Sequence, residues 1–209
     1  MSQRTATSIP SLPASPPEGE GSKPAAVRLF AGFAGFGAGT VNLAISSSFF
    51  ALGAEGPGAV GYAAGGLAGL WGAGLLAAAV VYLARGSVPG GGAAGWILVA
   101  AAGVHVAAIL LSTPGTSGLN LSQAAALLLT LMIIAALAWL RRTSVQLRVP
   151  PAGAVPTSQP GRLLLAAFAG AVVVAGITTP GLAASTAGQF AVPHGEHGGA
   201  PATGGHHQR

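Results

Sequence analysis

His105 stands inside an unbroken apolar stretch, Ala101-Ala102-Gly103-Val104-His105-Val106, with no charged residue close to it in the chain. An imidazole in that setting can relay a proton, ligate haem or a metal ion, or hydrogen-bond to a hydroxyl or to Asn42 on a neighbouring segment. Haem held between two segments needs a second axial ligand, and no other apolar stretch contains His; Met132 is the one candidate. Asn42 has the next claim on chemistry. An amide in lipid is expected to hydrogen-bond across helices, and it also suits contact with a substrate. The run Ser46-Ser47-Ser48 follows it. Serine hydroxyls can return to the i−4 carbonyl of their own helix and need no function. A serine–histidine dyad between this run and His105 is conceivable on facing helices, although nothing in the spacing demands one.

A second cluster closes the chain: His194, Glu196 and His197, then His206 and His207. Imidazoles with a carboxylate suit copper or zinc. The order differs from the HExxH of zinc peptidases, because Glu196 directly precedes His197. The flanking glycines provide no rigid scaffold, so a bound ion would be held weakly. The plain alternative is an exposed histidine tail with no metal.

What is missing narrows the field. The chain has no Cys and no Asp, and its only acidic side chains are Glu18, Glu20, Glu55 and Glu196, all outside the apolar stretches. Thiolate chemistry, disulfides and aspartyl intramembrane proteolysis are excluded, and no GxSxG elbow is present. Ion-coupled transport loses support as well, since no carboxylate sits at membrane depth. The expectation is a protein that is not an enzyme.

The elements that must position these residues follow from composition. Of 209 residues 51% are hydrophobic and 6% charged, whereas a soluble domain devotes about a quarter to charge. Crossing a bilayer core takes about 20 helical residues. Segments near 29–52, 60–84, 93–111, 121–140 and 163–182 meet that length, which predicts an all-α, multi-pass bundle of five transmembrane helices. The fourth is the clearest: Leu127 to Ile134 contains no breaker, Arg141-Arg142 stops it, and Trp139 stands at that end. The fifth weakens at Thr178-Thr179-Pro180, where the proline is either tolerated near the helix end or starts the exit turn.

The first segment is the most polar, with Thr40, Asn42, three serines and glycines at 32, 35, 37 and 39. Charge decides its role. With five crossings Arg4, Lys23, Arg28, Arg85, Arg141, Arg142, Arg148 and Arg162 share one side and only Arg209 lies opposite. Cytoplasmic loops collect Lys and Arg, so the N-terminus is expected inside and the C-terminus outside. A variant of this reading cleaves the first segment as a signal near Gly53 and Ala54, leaving four spans. Residues 1–27 read as a disordered cytoplasmic tail and 183–209 as a His- and Gly-rich extracytoplasmic one. The Ala, Gly and Arg usage fits a GC-rich bacterial genome, hence a bacterial plasma membrane.

Glycine spacing completes the reading. Gly35 and Gly39 form one GxxxG pair, and Gly61, Gly65 and Gly69 extend the same period. Such a face lets a second backbone approach closely, whether inside the bundle, at a homo-oligomer seam or along a pore. The expected partners are the lipid bilayer and a membrane protein or second copy. Scattered basic residues give no nucleic-acid footprint. The leading function is therefore an accessory or assembly subunit with weak transition-metal capture by its outer tail. The alternative is a channel or small-solute permease using His105, Asn42 and the Gly65/Gly69 face.

Overall fold

In lipid a backbone must satisfy its own N–H and C=O groups, and an Ala-, Leu- and Val-rich run does so as a helix. The computed structural model describes residues 22–55, 58–86, 91–112, 117–146 and 160–186. They form five helices, α1 (Ser22–Glu55), α2 (Ala59–Arg85), α3 (Gly91–Leu110), α4 (Ser117–Gln146) and α5 (Pro160–Ala183). Each is long and apolar enough to cross a membrane. The fold is an all-α, multi-pass transmembrane bundle. Most of both expected tails, including every histidine of the C-terminal cluster, lies outside the described residues.

Local chemistry sets several ends. After Arg85 the chain needs a left-handed residue, and Gly86 supplies it at φ 67°, its N–H donating to the Tyr82 carbonyl at 2.8 Å. Pro180 does not begin the exit turn: α5 continues to Ala183, and Pro180 accepts a bond from the Ala184 N–H at 3.0 Å. A proline near a helix end loses only its own N–H bond, which the structure tolerates. α4 starts one turn before the expected segment, which brings Ser117 to Asn120 into the helix.

Successive helices run antiparallel. Gly53 at the end of α1 meets Gly61 at the start of α2, and Gly95 near the start of α3 faces Arg141 near the end of α4. Arg28, Arg85, Arg141, Arg142 and Arg162 therefore share one end of the bundle, all exposed. α1 packs against α2, α4 and α5, while α4 packs against α1, α3 and α5. α2 and α3 thus flank the α1–α4 pair on one side, and α5 covers the other.

This arrangement explains why the first segment is the most polar. The apolar window of α1 is 67% buried against protein, against 11% for α5. Ala34, Ala38, Val41 and Ile45 of α1 join Ala126 and Leu129 of α4 at the centre of the core. A helix surrounded by helices does not need a lipid-compatible surface; it needs small residues that admit its neighbours. Cleavage after Gly53 would remove the helix against which three others pack.

Candidate functional site: a cleft between two helices

The α1–α2 seam is built on glycine. A Cβ added to Gly72 would lie 2.8 Å from the Gly39 carbonyl oxygen and 3.0 Å from the Leu43 nitrogen. One added to Gly39 would lie 2.9 Å from the Gly72 oxygen, and one on Gly61 would lie 2.7 Å from the Gly53 Cα. Gly35 faces Ala79, Gly65 faces the Phe50 ring, and Gly69 faces the Ser46 hydroxyl. The spaced glycines of the two segments thus meet each other's helix. Gly53 and Gly72 belong to the same seam, although they fall outside the four-residue period.

The polar residues of α1 exchange their expected roles. Asn42 does not reach another helix: its Nδ2 donates to the Ala38 carbonyl of α1 at 2.8 Å. Ser46 does reach across, donating to the Gly65 carbonyl of α2 at 2.7 Å. The reason is distance between axes. Where glycines bring two backbones together, a short hydroxyl spans the gap; the face Asn42 occupies has no such approach. Ser47 and Ser48 return to Ala44 of their own helix, and the Ser48 oxygen also accepts from the Thr186 N–H at 3.0 Å. None of the three serine hydroxyls bonds to His105.

On its other side α2 leaves a cleft against α3, with α1 and α4 as its floor. One chamber of about 450 Å³ is lined by Asn42, Phe49, Leu67, Trp71, Val104, His105 and Gln123 among others. A smaller one, about 180 Å³, continues toward the arginine end past Leu75, Tyr82 and Leu98. Trp71 and Ile97 line both, so the two form one track. Leu67 and Val104 at its mouth are largely exposed, which places the opening on the lipid-facing surface. A third hollow of about 460 Å³ lies between α3 and α4 at the charged end, lined by Trp96, Arg141 and Arg142.

His105 is only 5% exposed, and its Nδ1 lies 2.6 Å from Gln123 Oε1, itself on a buried side chain. A carbonyl oxygen only accepts, so Nδ1 carries the hydrogen. A neutral ring protonated there keeps a lone pair at Nε2. That nitrogen has no partner among the described residues; the same holds for Trp71 Nε1 and the Tyr82 hydroxyl. All three residues line the track. Buried polar atoms are normally satisfied, and each exception asks for a reason.

Gln123 escaped the sequence reading. It lies near the start of the fourth apolar segment, next to Ser122, where a polar residue needs no special reason. Ser122 instead donates to the Gly181 carbonyl of α5 at 2.7 Å and so ties α4 to α5. Met132 lies more than two turns farther along α4 than Gln123, about 13 Å of helix rise. It is therefore not placed to complete a haem site with His105. No cluster of three or more metal-ligating side chains occurs among the described residues. His194, Glu196, His197, His206 and His207, the copper or zinc candidates, lie outside them.

No protein-family model, curated protein or solved structure matches this chain. Fold and site define its class on their own. It is a multi-pass membrane protein with, among the described residues, five helices long and apolar enough to span, and an apolar cleft holding a few buried polar side chains.

Proposed function

We propose that this chain is a non-enzymatic accessory or assembly subunit of a bacterial plasma membrane, seated with its arginine-rich end in the cytoplasm. One observation carries the reading. Gly66 of α2, Gly103 of α3 and Gly176 of α5 face open space, with nothing within 4 Å of where a Cβ would stand. Glycine weakens a helix relative to alanine, and against lipid it offers nothing to pack. It does admit a second backbone, the usual basis of helix association in membranes. The absence of an enzymatic set is supported by the serines, whose hydroxyls are engaged with backbone carbonyls rather than with His105.

A photoreactive residue at Gly103 or Gly176 of the chain in its native membrane tests this. The expected product is one discrete adduct, larger than the chain by a constant mass, absent when the probe replaces buried Ala34. Lipid adducts alone would sink the accessory reading, and an adduct of twice the chain mass would assign the face to a second copy. The metal clause rests on the histidine tail. Cu(II) and Zn titrated into the full chain, and into a chain ending at residue 190, should differ by one bound ion; equal uptake removes the clause.

A permease is the second reading, favoured by the track that links His105 to Tyr82. The bundle axis is filled by α1, so a solute would have to pass along the lipid-facing cleft. Flux through reconstituted vesicles that persists in His105→Ala and Asn42→Leu would take those residues out of the case.

A further inference from the structure

We propose that the cleft between α2 and α3 binds a neutral lipid bearing a free hydroxyl, with His105 Nε2 accepting the hydroxyl hydrogen. The occupant's chemistry follows from what the cleft lacks. His105 lines the chamber, its Nδ1–H is spent on Gln123, and its Nε2 lone pair is buried without a partner among the described residues. A lone pair in an apolar surround calls for a donor. A carboxylate or phosphodiester has none to give, and two electron-rich groups facing each other would repel. An alcohol supplies the hydrogen without bringing a charge into the membrane.

The second orphan sets the rest of the ligand. Trp71 lines both chambers, and its buried Nε1, which only donates, has no partner among the described residues. A ligand with an ester or ether oxygen behind its hydroxyl offers that N–H an acceptor. A glyceride-type head has both groups in this order. Size points the same way. A helix is about 10 Å across, so ten residues of one displace on the order of 1,000 Å³. A chamber of about 450 Å³ is too small for that and lies within the usual range for a small ligand. The acyl chain would continue past Ile97 toward Leu75 and Leu98, along the apolar walls of the smaller chamber. Entry is lateral, between exposed Leu67 and Val104. The inference does not depend on whether a partner subunit covers the outer glycines.

The test uses the full chain in detergent with Trp96→Phe and Trp139→Phe, so that Trp71 alone fluoresces. Three probes share one acyl chain: monooleoylglycerol, methyl oleate and oleate. Monooleoylglycerol should shift the Trp71 emission saturably. Methyl oleate and oleate should bind about tenfold more weakly, and His105→Phe should cost monooleoylglycerol a similar factor while leaving methyl oleate unchanged. Equal affinity of the three probes, or of the wild type and His105→Phe for monooleoylglycerol, would overturn the proposal. Should His105→Phe fail to fold, the ¹⁵N resonance of His105 Nε2 in the wild type decides. Movement on adding monooleoylglycerol supports the site. A resonance already at a hydrogen-bonded position and indifferent to the probe assigns Nε2 to water and overturns it.

Discussion

α2 meets its two neighbours in opposite ways. Toward α1 it presents Gly61, Gly65, Gly69 and Gly72, and the backbones come so close that Ser46 bonds directly to a carbonyl of the other helix. Toward α3 it presents Leu67 and Trp71, which stand against Ile97 and Val104 and leave a cleft. Both seams are apolar, and lipid tails are as apolar as either. No hydrophobic force therefore closes one in preference to the other. Close approach of backbones does that, and large side chains prevent it. The lesson is that small residues built the frame of this bundle, while bulky ones, held apart by it, kept room for a ligand.

The comparison breaks most visibly at the glycines. Gly72→Val places a side chain against the Gly39 oxygen and the Leu43 nitrogen, and Gly61→Val against Gly53. Backbone atoms cannot rotate away as a side-chain tip can. Each substitution should cost about 3 kcal/mol or more, read as a lowered unfolding midpoint by circular dichroism in detergent. An unchanged midpoint for Gly72→Val would show that the helices do not touch there.

On the cleft side a smaller, non-additive effect is expected. Gln123→Leu strands the Nδ1–H of His105 in an apolar surround and should cost about 1–3 kcal/mol. The double variant His105→Phe with Gln123→Leu removes both partners and should recover most of that loss, since replacing a buried pair by apolar groups is often close to neutral. Additive losses in the same unfolding measurement would mean that the two side chains act independently.

The smallest effect sharpens the contrast between inner and outer glycines. Gly66→Ala meets nothing within 4 Å and should change the stability of the isolated chain by no more than about 0.5 kcal/mol. In the native membrane the same change should lower the yield of the Gly103 photoadduct, if a partner backbone rests on this side. A stability loss above about 1 kcal/mol in detergent would place that glycine inside a contact the isolated chain already makes.

Much of the fold was legible from local chemistry. The five segments coincide with the five helices to within seven residues, because length and hydropathy act within a single span; α2 ends at Arg85 as expected, whereas α4 runs past Arg141-Arg142 to Gln146. The site was legible only in part. His105 and Asn42 declared themselves as polar atoms in apolar runs. Gln123 did not, because its position near a span's end gave an ordinary reason for its polarity. The reversal of Asn42 and Ser46 was hidden for a different reason. Which polar group bonds across helices depends on how far apart the axes lie, and that distance is fixed by glycines on the other helix.

The amino-acid order alone determined which five described segments are long and apolar enough to cross a membrane, since the cost of an unsatisfied peptide group in lipid is met one segment at a time. Only the tertiary structure decided that the most polar span lies at the centre, which residues face lipid, and where the cleft opens. Those outcomes rest on pairs 18, 59 and 138 positions apart, His105 with Gln123, Ser122 with Gly181 and Ser48 with Thr186. Such pairs exist only once helices have docked, and no window of sequence contains them.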